Sequence, residues 1–534
     1  LNTRRILFAL LISVTLWCDR TIAASPLVAS FNSDGLSQLA YNRTVLYDSD
    51  LHPGDNFRIV DCTLVTGNTS FHFQDDIRYS KSWNAPSRTL TCRFDWGTVA
   101  TQYEVKPSAL EMTITVTNTT SDTLVNGLTF FPLILRFPKM PAPFNAGEWR
   151  SPGQPAVLVA DYGTGAAAWV VEDVSRSLHY GLLNDNNTPK QINFSAWVGT
   201  APLPWGGHTD DFRVPIKPQS SDVYHCSVRF GPTDSAASAL APDVFSAYAA
   251  AFPYSVKWSD RRPIAMFIIA ANGPKSNSAV NPRGWFNNPA LNFLTDAGQD
   301  DFSKRLLAYA RRSLPVLRAM KAQGMIAWDI EGEQYSTVSY IGDPRVAVQL
   351  APELARNNAI DKFFEVYRLA GFKVGVTVRP QRLVFKGDLP IQQQEITDTD
   401  EAVRNLADKI SYAREHWGCS IFYIDSTGPG DDPAIFVRVH QQFPDVLLIP
   451  ENPNVGIYSA CAPFGSARVN RVQTPDYVRQ IYPDAFSVID TTVEKTDPHL
   501  PELIEGVRHG DILMFSGAAV PSTLVQRAYR DAAK

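Results

Sequence analysis

Six carboxylates and one arginine in the second half of the chain stand where apolar runs stop. Asp329, Glu331 and Glu333 follow one run, Arg379 the next, and Asp425, Glu451 and Asp490 three more. Carboxylates brought together in pairs can hydrolyse a glycosidic bond. One, ionised, attacks or stabilises the anomeric carbon, and the other, protonated, gives the leaving oxygen its proton. Two such groups held close push their pKa values apart, so both states coexist near neutral pH. The same residue types admit a second chemistry, because Asp329, Glu331, Glu333 and Glu451 offer hard oxygen ligands to calcium or magnesium. The structural alternative is capping of the following helix, and Asp497 before Pro498 is read only in that way.

The elements that must position these groups are legible in the runs themselves. Ile421-Phe422-Tyr423-Ile424, which ends at Asp425, is apolar at every position and reads as a parallel strand buried on both faces. Comparable runs at 264–270, 325–328, 373–378, 446–449, 486–489 and 512–515 alternate with helices expected near 301–323, 358–370 and 400–416. Such alternation means parallel β/α units. Polar residues end nearly every strand rather than gathering at one crevice, which favours a C-terminal (β/α)8 TIM-like barrel with its chemistry at the C-terminal mouth. Only seven strands can be counted, so the barrel is incomplete or one strand is irregular. No Gly-x-Gly-x-x-Gly follows the first strand and no Gly-Lys-Ser/Thr loop occurs, which argues against nucleotide binding.

The first half reads differently. Leu110, Met112, Ile114 and Val116 alternate with Glu111, Thr113, Thr115 and Thr117, and similar period-two runs fill 57–230, which predicts an N-terminal antiparallel β-sandwich. The expected division is a sandwich over 25–242, a connection over 243–262 and a barrel over 263–534. No catalysis is assigned to the sandwich. Arg4-Arg5, an apolar stretch over 6–17 and Ala23-Ala24-Ser25 have the layout of a secretory signal peptide over 1–24, so the mature chain is expected to be exported, extracellular or periplasmic. The apolar stretch is too short for a confident membrane span, and Trp17 argues against a lipid anchor at Cys18. Cys62 and Cys92 lie in one β-rich region and are candidates for a disulfide in an oxidising compartment.

At 534 residues the chain exceeds one ordinary domain, and 44% hydrophobic with 19% charged residues describes a globular protein. A net charge of -5 supplies no basic field for nucleic acid. No cofactor is expected, and the partner is a carbohydrate. Trp328, with Trp285, Tyr335 and Tyr458, lies on or near mouth-side loops, where an aromatic face either stacks on a sugar ring or packs the loop.

Four segments of the second half resemble the α-galactosidase-like clan of retaining glycoside hydrolases, in which a β-supersandwich precedes the barrel. Leu369-Ala370-Gly371-Phe372-Lys373-Val374-Gly375-Val376 is similar to the clan's approach to its third strand, and Phe422-Tyr423-Ile424-Asp425 to its nucleophile strand. Ile449-Pro450-Glu451-Asn452 is similar to its Glu-Asn-Cys segment, and Ser487-Val488-Ile489-Asp490 to the sixth-strand segment that carries its acid/base. The resemblance implies a retaining double displacement with Asp425 as nucleophile and Asp490 as acid/base, and substrate contacts from Asp329, Glu331, Arg379, Glu451, Asn452 and Trp328. Departures are specific: the clan's Asp-Asp-Gly-Trp is Asp329-Ile330-Glu331-Gly332, its strand-four Lys is Tyr423, its third-strand Glu is Arg379-Pro380, and its Cys after Glu-Asn is Pro453. Arg379 then either meets an anionic group on the substrate or holds Asp425 or Glu331. Two further readings stay open: a non-catalytic carbohydrate-binding protein on the same architecture, and an oxygen-ligated metal-dependent hydrolase. Glu331 stands in reserve should Asp490 point away from the mouth.

Overall fold

The computed structural model describes residues 26–74, 78–138, 149–150, 155–174, 179–183, 191–199, 215–270, 278–333, 341–347, 357–386, 389–427, 432–492, 496–517 and 520–534. The leader expected over 1–24 and Tyr335 lie outside them. Among the described residues no helix is long and apolar enough to cross a membrane.

The N-terminal part is the expected sandwich. A six-stranded sheet and a seven-stranded sheet, with antiparallel pairing in the strand registers, face one another across a shared apolar core, and a three-stranded sheet over 27–48 adds to it. Strand Ala109–Asn118 buries Leu110, Met112, Ile114 and Val116, as its alternation requires. Cys62 and Cys92 are both buried and are not joined to one another, so the expected disulfide is absent. They sit on facing sheets, Cys62 opposite Leu128 in one and Cys92 opposite Val99 in the other. Packed sheets lie about 10 Å apart, beyond the Cα separation a disulfide spans. Helix Pro242–Ala251 joins the two halves by burying Val244, Phe245 and Tyr248 against Val157 and Val170 on one side and Tyr458, Val478 and Tyr482 on the other.

The second half is a barrel of eight parallel strands in chain order: β1 (Ile264–Phe267), β2 (Gly324–Ala327), β3 (Lys373–Val378), β4 (Cys419–Ile424), β5 (Leu447–Pro450), β6 (Phe464–Ser466), β7 (Val488–Asp490) and β8 (Ile512–Ser516). The count of seven is thereby corrected. The missed strand is β6, only Phe-Gly-Ser between Pro463 and a 3-10 turn, too short and too polar to register as an apolar run. Asp490 consequently ends the seventh strand and not the sixth. β5 and β6 form no ladder, but the Ala462 amide donates to the Leu448 carbonyl across the gap at 2.9 Å. Extending the registers from Phe267 round the ring and over that bond returns to the first strand at Ser259, eight residues earlier, the stagger of a closed eight-stranded barrel.

The helices follow local rules. α1 (Asp296–Ala319) starts earlier than its periodicity suggests because Thr295 accepts a capping bond from the Gly298 amide. α2 (Ala359–Leu369) packs on α1 through Phe363 and Tyr367. α3 (Thr399–Trp417) is capped by Asp398 and closed by Gly418 in the left-handed region. α4 (Leu500–Arg508) follows β7, and α5 (Thr523–Ala532), capped by Ser522, follows β8. Asp497, expected to cap a helix, is exposed and makes no capping bond, since the short turn it opens runs directly into α4.

Candidate active site

Strand alternation decides which side chains reach the barrel interior. Ile264 and Met266, Ile326, Ile421 and Tyr423, Leu447 and Ile449, Phe464, Val488, and Ile512 and Met514 fill the lumen, while Val374, Val376 and Val378 face the helices. One step further along each lumen-facing series stand Trp328 on β2, Arg379 on β3, Asp425 on β4, Glu451 on β5, Ser466 on β6, Asp490 on β7 and Ser516 on β8. Apolar side chains form the floor and charged ones the mouth.

At the centre, the Arg379 Nε donates to Asp425 Oδ2 at 2.5 Å, and the Ser426 hydroxyl donates to the same oxygen at 2.9 Å. Both residues of this ion pair are buried, Arg379 at 7% and Asp425 at 6% exposure. Ser426 adopts φ +59°, a conformation costing a non-glycine residue about 1–2 kcal/mol. That turn aims its amide at Glu451 Oε2, 3.1 Å away. Burial first, and then the Asp425 charge to which it is hydrogen-bonded, raise the Glu451 carboxyl above its ordinary value. Arg379 and Ser426 thus hold one oxygen of Asp425, and Glu451 stands beside it through the Ser426 amide.

Arg379 is itself set from behind. The Lys409 ammonium, fully buried on α3, donates to the Arg379 carbonyl at 2.7 Å and the Gln381 carbonyl at 2.8 Å, and lies 3.7 Å from Asp343. The Arg379 amide donates to the Gly342 carbonyl, and Gly342 at φ +67° leaves the room for the arginine stem. The alternatives left open for Arg379 resolve in favour of holding Asp425.

Asp490 is buried at the end of β7, where its Oδ1 accepts the Thr492 amide at 2.8 Å. It faces the lumen with Val488. Trp328 also reaches the lumen, but one face of its ring lies on Tyr423 with centroids 4.0 Å apart. Asn452 is half-buried and turned to Thr427: its amide meets the hydroxyl, and its side-chain nitrogen the carbonyl, each at 2.9 Å.

Asp329 is not placed for a sugar. It continues the helix-facing series of Met325 and Ala327, and its two oxygens accept the Ile269 and Ala270 amides at 2.6 and 3.0 Å, tying the end of β2 to that of β1. Burial pushes its carboxyl up to about 7 despite those bonds. Glu331, 1% exposed, has no hydrogen-bond partner for either oxygen among the described residues, and burial, opposed in part by nearby amides, pushes it up to about 8. Glu333 is pushed up to about 7 by the same cause. The four carboxylates read as cation ligands are thus divided, with Asp329 on backbone amides and Glu451 on Asp425. Among the described residues no three acidic, histidine or cysteine side chains converge as a metal would require. Trp285 and Tyr458 are core residues, at 1% and 2% exposure, so neither offers a face to a sugar.

No family model matches the chain, and no curated protein sequence matches it. Solved structures do. An α-N-acetylgalactosaminidase from Bifidobacterium bifidum in complex with GalNAc superposes with TM-score 0.53 and 11% identity, over 95% of this chain and 91% of that one. Its ligand-free form gives the same values. The chain has that enzyme's fold. A GH36 α-galactosidase from Geobacillus stearothermophilus aligns more loosely, at TM-score 0.42 and 9% identity over 90% of this chain and 72% of that one. At such identities the likeness reaches the architecture, a sandwich followed by a parallel barrel, and not the chemistry.

Three residues of the site were not singled out from the sequence. Ser426 and Thr427 carry no signal, because their role comes from a backbone turn. Lys409 does: it lies in the apolar stripe of Leu406, Ile410 and Ala413 on α3, where a charged residue needs buried partners.

Proposed function

We propose that the chain hydrolyses a glycosidic bond at the barrel mouth. The observation that carries this reading is Asp425, buried at the mouth and held by Arg379 and Ser426 beside Glu451, whose carboxyl is raised by burial and by the Asp425 charge, with Asp490 facing the same lumen from β7. In the retaining route, the Asp425 oxygen not held by Arg379 attacks the anomeric carbon while Asp490 protonates the leaving oxygen; Asp490 then takes a proton from the water that cleaves the glycosyl ester. Arg379 lies against the Asp425 oxygen that regains its charge when the glycosyl ester is cleaved, and Glu451 stands beside the pair at the mouth. Trp328 and Tyr423 supply an apolar base to the pocket. The fold shared with an enzyme solved in complex with GalNAc makes an α-linked N-acetylhexosamine the first glycone to try.

The test is turnover of the purified chain on aryl α- and β-glycosides, including N-acetylgalactosaminides, beside Asp425→Asn and Asp490→Asn. Activity is expected to fall by about 10³-fold or more in Asp425→Asn, with azide restoring turnover as the inverted glycosyl azide, whereas the first product of the wild type keeps its anomeric configuration by proton NMR. Full activity of Asp425→Asn would sink the assignment, and an inverted product would sink the retaining route. We place the reaction outside the cytoplasm on the strength of the leader-like first 24 residues. An exported chain whose N-terminal sequence begins near Ser25 is the expected result, and an unprocessed intracellular chain the contrary one.

A further inference from the structure

A recess of ≈ 330 Å³ opens at the mouth beside β7 and β8, a volume at the lower end of small-molecule sites. It adjoins the proposed acid directly, because Thr492, whose amide bonds Asp490, lines it, as does Ser516, the last lumen-facing residue of β8. Its lining is rich in hydroxyls. Three of them are occupied within the protein: Thr491 donates to the Met514 carbonyl, Thr492 donates to the Met266 sulfur, and Ser522 accepts the Val525 amide as the cap of α5. Thr496, Ser516 and Thr523 make no side-chain hydrogen bond to a described residue, although Thr496 is only 2% exposed. Asp497 contributes a carboxylate, no cation lines the recess among the described residues, and Val520 and Leu524 add apolar surface. A wall of unengaged hydroxyls, one carboxylate and an apolar patch suits a neutral polyhydroxylated ring with a hydrocarbon face, and disfavours an anion.

We propose that this recess is the leaving-group subsite, so that the natural substrate is an oligosaccharide or glycan whose departing unit is a neutral sugar. The inference rests on the function proposed above. A group that protonates the leaving oxygen must lie between the cleaved bond and the departing unit, and the recess lies on the far side of Asp490 from Asp425 in the order of the strands.

The experiment compares two substrates with the same glycone, a glycosyl fluoride, whose leaving group occupies no subsite, and a disaccharide. In Thr523→Trp, which fills the recess from the exposed start of α5, the ratio of kcat/KM for the disaccharide to that for the fluoride is expected to fall at least 10-fold. Thr496→Val with Ser516→Ala, which removes hydroxyls at nearly constant shape, is expected to lower the same ratio several-fold and covers a Thr523→Trp chain that fails to fold. An unchanged ratio in the variants overturns the subsite and leaves the glycosidase reading standing. A folded wild type inert toward both substrates overturns that reading and the subsite with it.

Discussion

Glu331→Gln tests a buried carboxyl that has no hydrogen-bond partner among the described residues. The carboxyl is 1% exposed, and burial raises its pKa from an ordinary 4.5 to about 8. Such a group binds its proton more tightly folded than unfolded, so its contribution to stability is complete below pH 4.5 and is lost as pH rises through 8. At about 1.4 kcal/mol per pH unit between the two values, the loss is about 3–5 kcal/mol by pH 8.5. Glutamine mimics the protonated form and cannot ionise. For a unit of about 270 residues, with an unfolding entropy of about 2.1 cal/mol/K per residue, that difference corresponds to about 5–9 °C in Tm. Wild type and variant should melt together at pH 4.5, and the variant should melt about 5–9 °C higher at pH 8.5. The assay is scanning calorimetry of both chains across that range. Asp329 and Glu333, pushed up to about 7, slope in the same direction but are common to both chains and cancel. Parallel Tm curves would refute the reasoning, since they would mean that Glu331 does not exchange a proton in this range.

Three further outcomes follow from the site. Gly342→Ala places a methyl 2.7 Å from the Arg379 Cγ at φ +67° and is expected to cost about 1–3 kcal/mol in urea unfolding; unaltered stability would mean that the loop shifts freely. Lys409→Met removes the ammonium between the Arg379 and Gln381 carbonyls and leaves Asp343 with one fewer cation. Destabilisation by about 3 kcal/mol is expected, with kcat falling more than KM rises, and wild-type kcat would show that Lys409 does not position Arg379. Because the five described cysteines are buried and form no disulfide with one another, a reducing agent is expected to move Tm by less than about 1 °C, and a larger fall would reveal a disulfide.

The sequence alone determined what depends on local pattern. Apolar runs alternating with amphipathic helices require parallel β/α units, period-two runs require a sandwich, and carboxylates at the ends of runs place Asp425, Glu451 and Asp490 at one mouth, because strand direction is shared in a parallel barrel. What it could not determine depends on two residues far apart in the chain meeting, or on a single step of strand parity. β6 is three residues long and exists because β7 pairs with it. Asp329 lies just beyond the end of a strand, as Asp425 does, but two positions out instead of one, and its parity turns it toward the helices and the backbone amides after β1. The Arg379–Asp425 pair joins residues 46 apart, and its 2.5 Å contact follows from the register of β3 with β4, with Lys409 on the intervening helix holding the arginine in place. Local propensity sets which groups a chain offers to a site; which of them are charged there, and which merely tie strands together, is set by burial and register, and these exist only once the barrel has closed.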